Sequence, residues 1–323
     1  MSDPPPTLGG MPDATPSLPN LLLASSEIDR DAAARAGHGF VRGLLQDAST
    51  KVLEVFGDRT ALDGRALGWR APSAADLDWY ENEGVVLYLG RAGESARLAL
   101  LRPADDSRED LLTLRHVALD LDHDDLAALT TAVALSHWHA THGHCPRCGG
   151  ATLPRQAGWV RYCPNDESLH FPRTDPAVIM AVVHPGEGRD DERILLARGP
   201  RWKGPHRSVL AGFVEPGESF EAAVARETFE ESGVVVDDVR YLGNQPWPFP
   251  ASLMIGFVAT ARTTALTPED GEIEEIGWYS RADIERGLAE GTLRLPGRIS
   301  IARSLIEHWY GAELPDGVEG GAA

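Results

Sequence analysis

The segment that most constrains the fold is a charged run at residues 212–234, GFVEPGESFEAAVARETFEESGV. Pro216 and Gly217 predict a turn that follows an apolar stretch. Ser219 is a favourable N-cap residue, and Gly233 suits the position at which a helix ends. The sequence therefore predicts a helix of about 13 residues between these two caps, with its C-terminal half rich in glutamate.

Three glutamates of this helix, Glu227, Glu230 and Glu231, are spaced i, i+3 and i+4 and so share one face. Like charges on one face repel each other, and a hard divalent cation such as Mg²⁺ neutralises them through carboxylate oxygens. Since Mg²⁺ also binds phosphate, the face indicates a metal-assisted phosphate site rather than a solvated acidic surface. The opposite face is predicted to pack on a sheet through Ala222, Ala225 and Phe229.

The chain has 323 residues, with 30 Lys and Arg against 49 Asp and Glu, which gives a formal net charge of −19. So negative a charge argues against a protein held to nucleic acid or to a membrane by a basic surface. The sequence also has neither a membrane-spanning apolar stretch nor a signal-peptide pattern after Met1, so we expect a cytoplasmic protein with no membrane partner.

Changes in composition and in the spacing of apolar residues divide the chain into five predicted parts. A Pro- and Gly-rich start predicts a disordered tail, and strand and helix patterns follow, among them a helical pattern at residues 31–45 and a strand pattern at residues 61–69. The predicted parts are a tail at 1–20, an N-terminal α+β domain at 21–140, a ribbon-like segment at 141–173, a second domain at 174–312 and a flexible tail at 313–323. We find no catalytic constellation within residues 21–140, for which a scaffold or dimerisation role is expected.

The cysteines of the chain are Cys145, Cys148 and Cys163, all in one short stretch. The first two form a CxxC knuckle whose thiolates can reach one tetrahedral metal ion, and Cys163 begins a second knuckle that has Asp166 in its fourth position. Zinc accepts carboxylate oxygen, so these four residues can close a structural site, with His144 and His170 as competing donors. Two interpretations stay open: a ribbon that holds Zn²⁺, and a ribbon that has lost the metal and is held by packing around Trp159 and Tyr162.

The run at residues 212–234 resembles the Nudix box, GX5EX7REUXEEXGU with U an aliphatic residue, at every fixed position. The one departure is Thr228 at the first aliphatic position. The resemblance implies a Nudix hydrolase, whose fold is an α/β/α sandwich with a mixed sheet, so that the whole chain is of the α+β class.

A second segment, NQPWPFPAS at residues 244–252, resembles the SQPWPFPxS signature of the Nudix NAD(H) pyrophosphatases, a branch that includes the NAD-capped RNA hydrolases. Prolines stiffen this segment and fix the orientations of Trp247 and Phe249, and rigid aromatic rings suit stacking on a flat base. HFPRTDPAVI at residues 170–179 also resembles the junction between ribbon and catalytic domain in that branch, so the resemblance covers nearly the whole chain.

The resemblance implies site residues by position. It implies catalytic roles for Arg226 and for the three helix glutamates, which also bind Mg²⁺ or Mn²⁺ together with Glu272, six residues before Trp278. Glu274 and Glu275 are neighbours that a shift of the alignment would favour. It implies substrate contacts by Phe213, Gln245, Trp247 and Ala302, a homodimer, and Zn²⁺ in a ribbon whose fourth cysteine is here Asp166.

The implied reaction is hydrolysis of the pyrophosphate bond of NAD(H) to nicotinamide mononucleotide, oxidised or reduced, and AMP. A glutamate, directly or through a metal ion, would activate the attacking water, and the same chemistry can remove an NAD cap from RNA. A basic run before the box is a candidate RNA contact, although a solvated loop explains it as well: Arg198, Arg201, Lys203, His206 and Arg207. The alternatives are a Nudix enzyme for another substrate such as ADP-ribose, and a non-catalytic nucleotide sensor, which should have lost box glutamates.

Overall fold

The computed structural model describes residues 18, 21–24, 28–82, 84–268 and 271–315. The predicted tails lie outside these residues, apart from Leu18 and residues 313–315. The described chain forms two compact units. The N-terminal unit comprises residues 21–177 and 245–254, and the C-terminal unit comprises residues 178–244 and 255–315 together with Leu18.

The N-terminal unit is built on a sheet with strand order β5-β6-β1-β2-β7, in which β1 is parallel to β6 and antiparallel to β2. Its core consists of strand residues that are almost fully buried, such as Val52, Leu98 and Leu100, against which α1 packs. The helices are α1 (Phe40–Gln46), α2 (Ala74–Glu81), α3 (Leu114–Val117) and α4 (His123–Thr141). The strands are β1 (Lys51–Phe56), β2 (Arg59–Thr60), β3 (Leu62–Asp63), β4 (Ala66–Leu67), β5 (Val86–Ala92), β6 (Ser95–Arg102) and β7 (Leu112–Thr113).

Glycines explain two differences from the expected elements of this unit. The helical pattern at residues 31–45 is split into a 3-10 turn (Ala32–Ala36) and α1, because Gly39 between them has a positive φ of 72°. The strand pattern at residues 61–69 is a short hairpin of β3 and β4, in which Gly64 has a φ of 63°.

The ribbon segment is part of the N-terminal unit and forms a sheet of β8 (Leu153–Arg155), β9 (Val160–Tyr162) and β10 (Leu169–His170). It is joined to α4 and β5 by buried hydrogen bonds. His139 Nδ1 accepts from Arg161, so its Nε2–H donates to Gly158 O at 2.8 Å, and Trp159 Nε1 donates to Tyr88 O at 2.7 Å. Burial lowers the pKa of His139 to about 4, so its imidazole is neutral at pH 7 and Nδ1 can accept from Arg161.

The C-terminal unit has a sheet of order β14-β15-β11-β12-β16, with β13 paired to β11. Its core strands are apolar and buried, as at Val178, Met180, Leu195 and Phe257. The strands are β11 (Asp175–His184), β12 (Arg193–Arg198), β13 (Leu210–Phe213), β14 (Val236–Trp247), β15 (Ser252–Ala261) and β16 (Glu275–Tyr279), and the helices are α5 (Phe220–Ser232), α6 (Arg281–Glu290) and α7 (Ile301–Tyr310). Within the described residues, no helix is both long and apolar enough to cross a membrane.

Candidate active site and metal centre

The glutamate-rich helix is α5, and its bounds agree with the prediction from the sequence. Ser219 is the N-cap, and its hydroxyl accepts a hydrogen bond from the Ala222 amide at 3.2 Å. Gly233 ends the helix with a left-handed φ of 74°, and a Cβ there would collide with the Thr267 hydroxyl. These two caps fix where the helix begins and ends, and therefore which residues share its acidic face.

Arg226 is the centre of the acidic face. Its guanidinium donates to both carboxylate oxygens of Glu218 at 2.8 Å, to Glu227 at 2.8 Å and to Glu230 at 2.9 Å. It also donates to the carbonyl oxygen of Phe213 at 3.0 Å, which ties the helix to the end of β13. The carboxylates raise the pKa of Arg226 and so hold it charged, and Arg226 in turn lowers the pKa of Glu218.

Gly212 explains why the acidic face can lie against β13. A Cβ built on Gly212 would lie 1.9 Å from Cδ of Glu227 and about as close to both of its carboxylate oxygens. The carboxylate of Glu227 therefore rests directly on the glycine backbone. Only glycine allows this approach, since any side chain at position 212 would displace the carboxylate.

The electrostatics of this cluster favour a bound cation. Burial raises the pKa of Glu227, and although Arg226 opposes the shift, the charges of Glu230 and Glu272 add to it. One guanidinium is thus shared among several carboxylates that also repel each other. Oxygen donors with residual negative charge are the ligands that Mg²⁺ and Mn²⁺ prefer, so the residues present fit these ions.

The structure separates Glu272 from the two glutamates that follow it. Glu274 pairs with Arg198 at 2.7 Å, and Glu275 pairs with both Arg198 and Arg207. Glu274 and Glu275 are therefore engaged by arginines, whereas Glu272 contributes to the electrostatic field at Glu227. The role of Glu272 as a metal ligand stays a prediction.

One expectation for α5 was wrong. Ala222 and Phe229 are exposed, whereas the buried residues of the helix are Ala223, Val224, Thr228 and Ser232. The buried face adjoins the acidic face instead of opposing it, because Glu227 itself rests on the strand at Gly212.

The segment at residues 245–254, here called the aromatic loop, belongs to the N-terminal unit. The Trp247 and Phe249 rings meet edge to face at 5.1 Å, and the guanidinium carbon of Arg115 lies 4.8 Å and 3.9 Å from their centroids. Gln245 is 1% exposed, and its amide donates to the carbonyl oxygen of Leu22 at 2.6 Å. The Gln245 side chain thus has a buried structural contact, and its expected contact with substrate stays a prediction.

The other predicted substrate residues lie in the C-terminal unit. Phe213, at the end of β13, is 60% exposed, and its expected contact with substrate stays a prediction. Ala302 is buried in the first turn of α7, and its amide donates to the hydroxyl of Ser300. The predicted basic run is weaker than its sequence suggests, because Arg198 and Arg207 pair with glutamates while Arg201 and Lys203 are exposed.

In the ribbon, the structure brings together the four predicted ligands, Cys145, Cys148, Cys163 and Asp166, with their donor atoms all within 4.8 Å of one another. Their spacing and chemistry fit a tetrahedral Zn²⁺ site. Ser168 holds Oδ1 of Asp166 through its amide and hydroxyl, while Oδ2 lies 3.5 Å from the sulfur of Cys145. The hydrogen bonds from Ser168 keep the pKa of Asp166 well below its usual value, so the carboxylate is ionised.

Comparison with known proteins gives a consistent assignment. Residues 174–296 match the NUDIX domain, and residues 140–171 match the NADH pyrophosphatase zinc ribbon domain. The chain is 43% identical over 300 residues to the NAD-capped RNA hydrolase NudC of Mycobacterium bovis (strain BCG / Pasteur 1173P2), a match that covers 88% of this chain and 90% of that protein. The chain belongs to the Nudix family, in its NADH pyrophosphatase and NAD-capped RNA hydrolase branch.

Two further relatives of this Nudix protein differ in coverage. The NAD-capped RNA hydrolase NUDT12 of Homo sapiens is 39% identical over 202 residues, which are 59% of this chain and 43% of that protein. A NUDIX hydrolase of known structure from Nitrosomonas europaea is 20% identical, with a TM-score of 0.39 over 53% of this chain and 94% of that one. The expected architecture, an α+β chain with a ribbon segment and a further N-terminal region before the Nudix fold, is confirmed.

Two residues with clear positions at these sites did not emerge from the sequence. Ser168 stands two residues after Asp166, and the Asp-x-Ser spacing is a usable signal for a carboxylate held by the backbone amide that follows it. Arg115 lies more than 130 residues before Trp247 in the sequence. No local pattern links such distant residues, so only the fold could reveal their contact.

Proposed function

We propose that this Nudix protein is an enzyme, a hydrolase that cleaves the pyrophosphate bond of NAD(H) to give AMP and nicotinamide mononucleotide, oxidised or reduced. The observation that carries the proposal is the cluster of Glu218, Glu227 and Glu230 around Arg226, with Glu227 resting on Gly212. The high identity to an NAD-capped RNA hydrolase over most of both chains supports the choice of a dinucleotide substrate.

In this proposal Glu227, Glu230, Glu231 and Glu272 hold the catalytic Mg²⁺ or Mn²⁺. A bound cation of this kind neutralises the charge of the pyrophosphate and activates water. Arg226 keeps the carboxylates of Glu227 and Glu230 in position, and Glu218 in turn fixes the guanidinium through two hydrogen bonds. The protein thus provides a pre-arranged set of oxygens that needs little reorganisation when the cation and the substrate bind.

Substrate recognition is assigned to two aromatic rings, the exposed Phe213 and the half-buried Trp247, and to two further residues. Phe213 and Trp247 offer flat surfaces on which the nicotinamide or its partner base can stack, each worth about 1–3 kcal/mol per base. Gln245 and Ala302 complete the proposed set of substrate residues. Zn²⁺ in the ribbon is proposed as a structural ion, since four protein ligands leave no open position for chemistry.

The same reaction applied to an RNA 5′ end would remove an NAD cap, and the names of the relatives favour this second substrate. Free NADH and NAD-capped RNA share the pyrophosphate that is cleaved, so one site serves both. The two substrates differ in the RNA beyond the cap, and its contribution to affinity decides which of them is preferred.

A product assay tests the proposal. The chain is incubated with Mg²⁺ or Mn²⁺ and with NADH, NAD⁺, ADP-ribose or NAD-capped RNA, and the products are separated by chromatography. We expect AMP and nicotinamide mononucleotide from the dinucleotides and slower cleavage of ADP-ribose. Faster cleavage of ADP-ribose than of NADH would contradict the substrate assignment.

A substitution tests the role of the helix. Glu231→Gln is expected to reduce kcat by about a hundred-fold or more, since it removes one proposed carboxylate ligand without changing side-chain size. Glu221→Gln, in the exposed first turn of the same helix, is the matched control and should leave kcat unchanged. Near-wild-type turnover of Glu231→Gln would remove the helix face from the mechanism.

The homodimer implied by the resemblance and the cytoplasmic location expected from the sequence also stay proposals. Analytical ultracentrifugation at micromolar concentration tests the first, with a mass near twice the 34.9 kDa of the chain as the expected result. Cell fractionation tests the second.

A further inference from the structure

The aromatic loop is continuous in sequence with the C-terminal unit but lies within the N-terminal unit. Three separate contacts attach it there. Gln245 donates to Leu22 O at 2.6 Å, the Asp175 amide donates to Ala251 O at 2.8 Å, and Arg115 covers Trp247 and Phe249. Residues far apart in the sequence therefore hold the start of the loop, its two rings and Ala251.

The backbone at Arg115 is anchored by buried neighbours, while its own side chain is exposed. It lies on α3, where the adjacent Leu114 is fully buried and Val117 is 1% exposed. No ion pair between described residues includes Arg115, and desolvation of its guanidinium lowers its pKa. A guanidinium 3.9 Å from a ring centroid, and without a carboxylate partner in that set, makes its main contact with the π faces.

We infer that Arg115 is a positioning residue that holds Trp247 and Phe249 in the orientation needed for stacking on the substrate, and that Arg115 thereby sets substrate affinity. The inference rests on the proposed function, since it assigns Trp247 to substrate recognition. Arg115 acts through the two rings, and the carboxylates of α5 carry out the chemistry. Its loss should therefore change KM far more than kcat.

The test is a double-mutant cycle on the full-length chain with NADH as substrate. Arg115→Met keeps an unbranched flexible side chain and removes the guanidinium with its charge, and it should raise KM about five- to thirty-fold with kcat within about two-fold of wild type. In a Trp247→Leu background the same change should raise KM by less than about two-fold, because in that background Arg115 still holds Phe249 but the ring assigned to the substrate is gone. Equal increases in the two backgrounds would overturn the inference.

Two further variants separate positioning from general loss of structure. Arg115→Lys keeps the charge but not the planar stacking group, so its KM should lie between those of wild type and Arg115→Met. If Arg115→Met does not fold, as judged by thermal unfolding, Arg115→Lys carries the cycle instead. Arg108→Met is the matched control, because Arg108 lies over Phe56 at 5.1 Å in the same unit, away from the loop, and its KM should not change.

The outcomes distinguish the two proposals. A wild-type chain that does not cleave NADH refutes the proposed function. A wild-type chain that cleaves NADH while the Arg115 variants keep the wild-type KM refutes only the role of Arg115.

Discussion

At the scale of single residues, the site depends on a glycine as much as on its glutamates. Gly212 has no side chain, and the carboxylate of Glu227 occupies the space where one would be. Glu227 could not lie against β13 with any other residue at that position. The fixed glycine at the start of the box thus has a steric role that the pattern alone does not reveal.

Gly212→Ala is therefore expected to displace the carboxylate of Glu227 by about 1 Å or more and to reduce kcat by about a hundred-fold. The obstructing atoms are the end of a flexible side chain, so the fold should persist with a nearly unchanged Tm. Steady-state kinetics and thermal unfolding measure the two effects. Gly188→Ala, where a Cβ meets nothing within 4 Å, is the control. Full activity of Gly212→Ala would show that the position of Glu227 is not critical.

Thr228 is a single residue that affects stability rather than catalysis. It is fully buried, and its hydroxyl has no hydrogen-bond partner among the described residues, at a position where the family pattern has an aliphatic side chain. A buried hydroxyl without a partner costs stability, whereas a methyl group of the same size does not.

Thr228→Val should therefore stabilise the chain by about 1 kcal/mol, as measured by denaturant unfolding. Thr130→Val on α4 is the matched control, because the Thr130 hydroxyl donates to Leu126 O at 2.7 Å and its removal should destabilise the chain. A loss of stability in both variants would indicate that Thr228 has a partner after all.

At the scale of elements, local patterns predicted much of the structure, and contacts distant in sequence explain the rest. The caps of α5 and the spacing of its glutamates depend only on neighbouring residues, and both were correct. Which face of α5 is buried depends on β13, and the wrong choice of Ala222 and Phe229 shows that periodicity alone does not determine it. The contact of Arg115 with the aromatic loop has no local signal at all.

The ribbon shows how one element can accommodate a changed ligand. Asp166 stands where the family pattern has a cysteine, and Ser168 binds one of its carboxylate oxygens and leaves the other near the thiols. This arrangement suits a carboxylate that donates a single oxygen to Zn²⁺.

We expect one zinc ion per chain in the wild type and in Asp166→Cys, which restores four cysteines, and loss of the metal in Asp166→Ala. Ser168→Ala should weaken zinc affinity about ten-fold or more, as for other residues that orient a ligand. Elemental analysis and competition with a chelator measure these effects, and the absorption of the Co²⁺-substituted protein reports the number of thiolate ligands.

His170→Ala provides the control for the ribbon, because His170 contacts the Ser168 hydroxyl at 3.0 Å and, among the described residues, is not grouped with the four predicted ligands. Its zinc content should stay at one per chain. Full zinc content in Asp166→Ala combined with loss in His170→Ala would reassign the fourth ligand to the histidine.

At the scale of the whole molecule, the net charge of −19 limits the electrostatic attraction between this chain and an RNA substrate. Glutamates pair with Arg198 and Arg207, so Arg201 and Lys203 are the exposed cations that the basic run can offer to phosphates. Binding of capped RNA must then depend mainly on the cap and little on the phosphate backbone.

The expected consequence is a shallow salt dependence. At fixed Mg²⁺ or Mn²⁺, log kcat/KM for NAD-capped RNA should fall against log[NaCl] with a slope of about −1.4 or shallower, the value for two neutralised phosphates of a single strand. The slope for NADH, measured in parallel, gives the salt dependence that arises at the active site itself. A slope steeper than about −3 would indicate a larger RNA-binding surface.

The aromatic loop also limits how such a chain can be recombined. Residues 245–254 are encoded within the catalytic half, but their partners Leu22, Arg115 and Asp175 are encoded before it or at its start. A chimera that joins the N-terminal half of one homologue to the catalytic half of another would combine a loop with partners selected for a different loop. The two halves are therefore expected to be inherited together, and changes at position 115 should be compensated at positions 247 and 249.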